Sequence, residues 1–556
     1  MGATDIVGRV VSSLYKGGPR NPVFEKQLDV PNGGILLALP FLLSLGLLKH
    51  GQRFFSLPRG FYRLDSIFLL LAFMALGRIK TIESLRYNSP GEWGNLLGLD
   101  RIPDVKTLRQ KIKKLSGNSI QWASELAQEW MGMFSQSAGE LYVDGHVRVY
   151  NGHQTELPRH HVARQKLCLR ATVDYWVNAM DGQPFFKVNK AVDPGMLQVL
   201  KDDIVPQLER YLPSQSELFT REDAPRFTLV FDREGYSPQF IRQMLKKGIA
   251  CLSYHKYPAE AWNQSEFSEY KFNLATGQEV TIQLAERGAL LGKVLWVREI
   301  RKLNKSGHQT SIIATDFIKS PPELARDMFA RWSQENFFKY MREHYGLDRL
   351  VDYSLAEIPE STKVVNPQYR EVDGEARKAI SQLSRKQCEN NEVLLKEDIG
   401  PETVEEYATK KVTLLEEVDG LQKTVDDLKA LRKATPKHVQ IGDLPEEDRF
   451  KQLATESKHL IDAIKMIAYR AETAMVNTLR PGVRRKDDIR SLVRSIYATE
   501  ADFIPDHEAN TLTVRLHQFA NRRSVESVIR LCRELNDTRT IFPGTQLRLV
   551  YELVSA

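Results

Sequence analysis

Apolar and polar positions recur with different periods along the chain, and the changes of period divide it in three. Residues 1–138 read as mainly helical, with two strongly apolar runs at 35–48 and 67–76. The first is broken by Pro40 and Gly46, the second is shorter still, and a membrane-spanning helix needs roughly 20 residues. Both are therefore expected inside a core. Residues 139–355 turn strand-like. Runs at 141–150, 167–177 and 184–188 are rich in Val, Phe, Leu and Tyr, and 195–211 reads as a helix. Residues 227–231 are almost continuously apolar, as for a strand buried on both faces, and end at Asp232-Arg233-Glu234. Ser237-Pro238 starts another helix, and 249–254 is a further strand.

Short, turn-separated β runs at 270–274, 279–284, 294–302 and 310–315 predict a small β subdomain inserted at about 262–320. Residues 328–342 contain neither Gly nor Pro and predict one helix of about three to four turns. On it Arg331, Glu335, Phe338 and Arg342 share a narrow stripe, while Phe329, Trp332, Phe337, Tyr340 and Met341 spread over the other side.

Residues 356–556 are helical and highly charged. Within 402–434, Val404, Tyr407, Leu414, Val418, Leu421, Val425 and Leu428 follow a and d positions, which fits a coiled coil or a helix packed on its own chain. A second long helix at 453–479 is closed by Pro481, and the basic run Arg484-Arg485-Lys486 follows. Two alternating strands, 511–517 and 546–551, bracket a helix at 525–535 as a small α+β cap. The expected class is multidomain α+β, with helices on a mixed α/β sheet.

Composition narrows this modestly. The 556 residues are 42% hydrophobic and 27% charged with a net charge of +7, which suits a soluble protein and is compatible with nucleic acid without establishing it. The four cysteines, Cys168, Cys251, Cys388 and Cys532, form no CxxC pair, which argues against a disulfide framework or structural zinc and fits a reducing cytosol. The first residues lack a basic-then-apolar leader, so no signal peptide is expected. Residues 91–114 read as a short helix, a Gly/Pro-containing turn and a basic helix. Lys106, Arg109, Lys113 and Lys114 crowd one side of that second helix, as a helix-turn-helix meeting DNA would require, or as a solvated basic helix would show.

Three acidic residues stand out by position: Asp144 inside the first strand, Asp232 at the end of the apolar one, and Glu335 on the later helix. A carboxylate on a buried strand needs a partner, because desolvating its charge is costly. A divalent cation is one such partner, and Mg²⁺ takes hard oxygen ligands. Two ions roughly 4 Å apart can activate an attacking hydroxyl and stabilise the leaving oxygen of a phosphoryl displacement. Glu234 is a rival for the role of Asp232. Asp174 reads as structural and Glu343 as a surface charge. His146 and the His160-His161 pair lack a second ligand set at metal spacing.

These motifs resemble the bacterial insertion-sequence transposases of the DDE class, in the branch with a β insertion between the second and third acidic residues. The third family motif is a Tyr, an Arg three residues on, the catalytic Glu four further, and a Lys seven after that. Here Arg331 and Glu335 keep that spacing. Arg342 stands for the Lys and preserves the charge, and Met328 stands for the Tyr and removes a hydroxyl donor. Asp232-Arg233-Glu234 is similar to the second motif. The resemblance implies an RNase H-like core in which Asp144, Asp232 and Glu335 hold two Mg²⁺ (Mn²⁺ in their place also fits). It implies cleavage of double-stranded DNA at terminal inverted repeats and strand transfer into target DNA. Arg233, Arg331 and Arg342 would bind end phosphates, and a homodimer would act in a synaptic complex on the bacterial nucleoid. The alternatives are an inactive, domesticated DNA-binding descendant, a coiled-coil structural protein, and an RNase H-like nuclease without strand transfer.

Overall fold

The computed structural model describes residues 5–14, 18–58, 60–133, 139–152, 157–162, 165–190, 192–212, 224–273, 279–349, 351, 354–394, 404–446, 449, 451–480, 486–519 and 522–554. Pro481, Arg484 and Arg485 lie outside them. The chain forms two compact units. One comprises residues 1–150, 159–354 and 453–556, and the other comprises 151–158 and 355–452. The class is mixed multidomain α+β, with long helices and mixed sheets.

After a short strand β1 (Gln27–Val30), the first unit builds a ten-stranded sheet. Its strands are β2 (Glu140–Val149), β3 (Arg159–Val162), β4 (Leu167–Ala179), β5 (Pro184–Lys190), β6 (Phe227–Phe231), β7 (Ile249–Tyr254), β8 (Ser268–Asn273), β9 (Glu279–Leu291), β10 (Leu295–Leu303) and β11 (Gln309–Ala314). The order is β3-β4-β2-β6-β7-β11-β10-β9-β8, with β5 also on β4. Only β2, β6 and β7 run parallel to one another, and all five residues of β6 are buried, as its apolar run requires. The expected inserted β subdomain is not a detached body. Strand β11 pairs directly with β7 through Ile312↔Tyr254 and Ala314↔Leu252, so β8–β11 extend the central sheet as antiparallel hairpins.

Helices cover this sheet, and one continuous core joins them to it. The apolar run at 67–76 lies in the Leu64–Leu76 helix, buried from Ser66 onward, and the 35–48 run begins as the buried turn Gly33–Ala38. Both are core. Among the described residues no helix is long and apolar enough to cross a membrane. At the expected C-terminal cap, the two expected strands flank the helix Arg522–Asp537, and two further strands join them in one sheet. Strands Ala501–Asp506, Thr511–Leu516 and Arg548–Leu553 form a sheet whose fourth strand is β1, from the other end of the chain.

The second unit is built on a helical hairpin, Pro367–Leu394 and Val404–Ala434. Val425, Val418, Leu421 and Leu428 pack on Ala379 and Leu383, and Arg432 pairs with Asp373 and Lys386 with Glu417, so the helices are antiparallel. These a and d positions are used within the chain.

Candidate active site

Strand pairing sets the site. Val143 of β2 lies beside Phe231 of β6, so Asp144 and Asp232 follow from neighbouring parallel strands. Strand β6 stops at Asp232, whose carboxylate accepts from the Arg233 N–H at 2.6 Å and caps the turn Arg233–Gly235. Asp144 accepts from the Gly145 N–H at 2.9 Å.

The third acid comes from the segment expected as one helix. It is two: Pro321–Phe329, opened by a Ser320/Glu323 capping box, and Trp332–Tyr340, continued by a π turn over Met341–Tyr345. Between them the chain tightens to i→i−3 bonds, Ser333 N–H to Ala330 O at 2.8 Å and Gln334 N–H to Arg331 O at 3.0 Å. The reason is tertiary. The Ser333 hydroxyl donates to Met180 O at 2.8 Å, and the β4–β5 turn presses Gly182 against the Ser333 backbone so closely that a Cβ there would lie 2.9 Å from the Ser333 oxygen. Gly182 has φ of +87°, so it meets both demands. The buried Gln334 amide donates towards the main-chain oxygens of Tyr142 and Trp176 and to Asn178 Oδ1, which pins the second helix to β2 and β4. Phe337 and Phe338 pack on Trp176, and each such burial is worth about 1.5–3 kcal/mol.

This anchoring aims Arg331 into the acidic cluster. Its guanidinium lies 3.7 Å from Asp144 Oδ2, 3.7 Å from Asp232 Oδ2 and 3.3 Å from Glu335 Oε1. The carboxylates grade outward, with side-chain exposures of 25% for Asp144, 37% for Asp232 and 53% for Glu335. Burial pushes the Asp144 carboxyl up to about 6, opposed by Arg331 and the Gly145 N–H and reinforced by Asp232 and Glu234. Glu234, the rival to Asp232, is also raised, by partial desolvation and by the charges of Asp193 and Asp232. The cluster thus holds more negative charge than one arginine balances. It is wider than a single-ion cage, because among the described residues only Asp29, Asp502 and His517 bring three ligand atoms within 4.8 Å of one another.

The remaining expected residues divide. Arg233 is exposed beside the triad, 5.7 Å from the Tyr254 ring. Arg342 lies on the π turn, where, against the cost of burial, its charge adds to the hydrogen bond and charge of His146 in holding the Asp348 carboxyl down. Met328 is fully buried among Tyr142, Leu252 and Ile300, so that position faces a core and not the site. Lys106, Arg109 and Lys113 are exposed on the separate Val105–Leu115 helix, with Arg109 paired to Glu83, and no ion pair among the described residues joins them to the acids. Asp174 is buried between Arg148 at 2.7 Å and Asn189 at 2.6 Å, and Glu343 is exposed. His146 is committed to Asp348 at 2.5 Å and stacked on Phe338, while His160 and His161 sit in β3.

Three neighbours went unforeseen. Tyr254 follows Ser253, the partner of Phe231, so it ends its strand alongside Asp232, and burial with the charges of Asp232 and Glu335 raises its hydroxyl against Arg331. Its place at the end of the 249–254 run was a usable signal. Tyr175 lies over Gly145 and donates to Asp193 at 2.7 Å, and no sequence pattern marked either residue.

Fold and site define an α+β protein that gathers three acidic side chains from distant segments around one guanidinium. A family model described as a transposase protein matches residues 1–555, and the chain belongs to that transposase family. No curated protein matches it.

Proposed function

We propose that this chain is a DDE-type DNA transposase with an RNase H-like core, cutting DNA at the inverted repeats of its element and joining the ends to target DNA. The observation that carries the reading is the convergence of Asp144, Asp232 and Glu335 on Arg331 at the edge of the parallel strands. The donor set suits two Mg²⁺, or Mn²⁺, because it consists of carboxylate oxygens alone, with one guanidinium shared among three acids. When bound, such ions activate the attacking hydroxyl and stabilise the leaving 3′ oxygen. Asp144, on a strand pinned from both sides, and Asp232, on a capped turn, supply fixed oxygens, while the more exposed Glu335 rides on a helix held by Gln334. Arg331 offsets part of the acidic charge in the free protein and grips an end phosphate with Arg233 and Arg342 in the complex. The basic Val105–Leu115 helix holds flanking duplex, and two copies act in one synaptic complex.

The test is linear DNA carrying the matching repeats. Cleavage at those ends with Mg²⁺ or Mn²⁺, and none with EDTA, is the expected result. Asp144→Asn and Glu335→Gln bind the ends and do not cut. Full cutting by either variant removes that residue from the metal set, and cutting in EDTA overturns the two-ion reading.

A further inference from the structure

The first unit holds a cavity of about 630 Å³ that the acidic cluster does not touch. Its floor is apolar, formed by Leu71 and Met74 of the Leu64–Leu76 helix, Ile79, and Ile461 and Ile464 of the Glu456–Leu479 helix. Its wall is cationic: Lys80, Arg109, Lys113, Arg349 and Lys465. The one carboxylate in the lining, Glu83, already serves Arg109 and Arg86.

Lys465 is the informative member. It is buried, and among the described residues its ammonium donates to the main-chain oxygens of Lys80 and Gly346 alone, at 3.3 and 3.4 Å. Gly346 is held there by its φ of +62°, with Lys80 so close that a Cβ would lie 2.8 Å from the Lys80 Cβ. Burial lowers Lys465 to about 8, against the pull of Asp462. Asp462 cannot serve it fully, because its two oxygens are taken by Lys187 and Lys458. The adjoining interior is short of negative charge as a whole. Among the described residues, Arg148, Lys187, Lys458 and Lys465 are paired with Asp174 and Asp462 alone, with Asp348 acting on Lys458 through its charge. Buried cations in excess over carboxylates are costly unless an anion joins them.

We infer that this cavity binds a nucleotide, with its phosphate on Lys465 and the rim cations Lys80 and Arg349 and its base on the apolar floor. The volume lies within the roughly 300–1,000 Å³ of small-molecule sites, and an apolar floor beneath a cationic wall matches a flat base carrying a charged phosphate. The same chemistry is offered by a free nucleotide and by the terminal nucleotide of a DNA strand. The site shares no residue with the acidic triad.

Titration calorimetry of the full chain with AMP tests this. One site per chain is expected. Lys465→Met, close in size and uncharged, weakens AMP at least tenfold, and the exposed Arg349→Glu does so without touching the core, which keeps the test decisive if Lys465→Met does not fold. No AMP binding, or unchanged binding in both variants, overturns the inference. So does inorganic phosphate binding as tightly as AMP, which would leave the apolar floor without a role, and so does loss of AMP binding in Asp144→Asn, which would move the ligand to the acids. A 5′-phosphorylated oligonucleotide that displaces AMP identifies a strand end as the source, and failure to displace it identifies the free nucleotide.

Discussion

Asp144 and Asp174 lie on the same face of one sheet, diagonally across neighbouring strands. Asp144 is opposite Trp176, and Asp174 is opposite His146. Their surroundings are nonetheless opposite in sense. Asp174 is fully buried and meets Arg148, Asn189 and Lys187, and despite the cost of burial these cations and the amide hold its carboxyl far below the usual range. Asp144 has one guanidinium at 3.7 Å and two acids nearby, and burial pushes it up to about 6. His146 stands between them, spent on Asp348 and Phe338. The same residue type on the same face is thus a satisfied structural ion in one place and an under-neutralised group in the other. Burial alone does not separate structural from functional carboxylates. The supply of positive charge does.

The comparison breaks most decisively at Asp232. Under the proposed function, Asp232→Asn removes a metal ligand and is expected to reduce end cleavage by at least about 10³-fold, or roughly 4 kcal/mol of transition-state stabilisation. Its thermal midpoint should not fall, since one of three crowded acids is neutralised. A large fall would place Asp232 with Asp174 among the structural ions. The converse is Asp174→Asn, which leaves Arg148 and Lys187 buried with too little counter-charge. It should cost about 3–5 kcal/mol in denaturant unfolding. A loss under about 1 kcal/mol would show that water or Asp462 satisfies those cations.

Glu299 extends the contrast along the sheet to β10. Despite burial, His255 at 3.5 Å and hydrogen bonds from Ser311 and Arg301 hold its carboxyl down at about 2, from an ordinary 4.5. Because the folded value is depressed, its contribution is present above about pH 4.5 and is lost as the pH falls towards 2. The expected advantage over Glu299→Gln is on the order of 3 kcal/mol at pH 7, shrinking through that window. Urea unfolding of both proteins at pH 7 and pH 3 measures it, and a pH-independent gap would show that the amide loses geometry and not charge.

How much of this was legible follows local and non-local causes. The strands carrying Asp144 and Asp232 were readable because their apolar runs are local, and parallel pairing of buried strands then placed the acids together. The break at Ala330–Arg331 was not, because nothing in 328–342 opposes a helix and the tightening comes from Met180 and Gly182 on a distant turn. Strand β1 was missed for a similar reason. Its four residues alternate, Gln27-Leu28-Asp29-Val30, but the run is too short to stand out, Asp29 sits at φ of +56°, and its partner lies at 501–506. The a and d pattern at 404–428 was correct as a pattern, but a heptad seam does not say whether its partner is another chain or the preceding helix.

Met328 tests the family motif itself. A Tyr at that place would restore the hydroxyl that the resemblance associates with DNA contact, and on sequence grounds Met328→Tyr should strengthen end binding. The structure predicts otherwise. Met328 is fully buried against Tyr142, Leu252, Ile300 and Ile312, on the helix that precedes the tight turn, while Arg331, three residues on, is the first side chain of the segment to meet the acids. A phenol there adds volume to a packed core and brings a hydroxyl that needs a partner. Overpacking costs about 1–3 kcal/mol, and an unpaired hydroxyl adds to it. Met328→Tyr should therefore lower stability by about that amount and leave end affinity unchanged at a temperature where both proteins are folded. Tighter binding would mean that the helix rotates on DNA to bring this position out of the core, and the boundary between the buried and acidic faces of the segment would then belong to the free protein only.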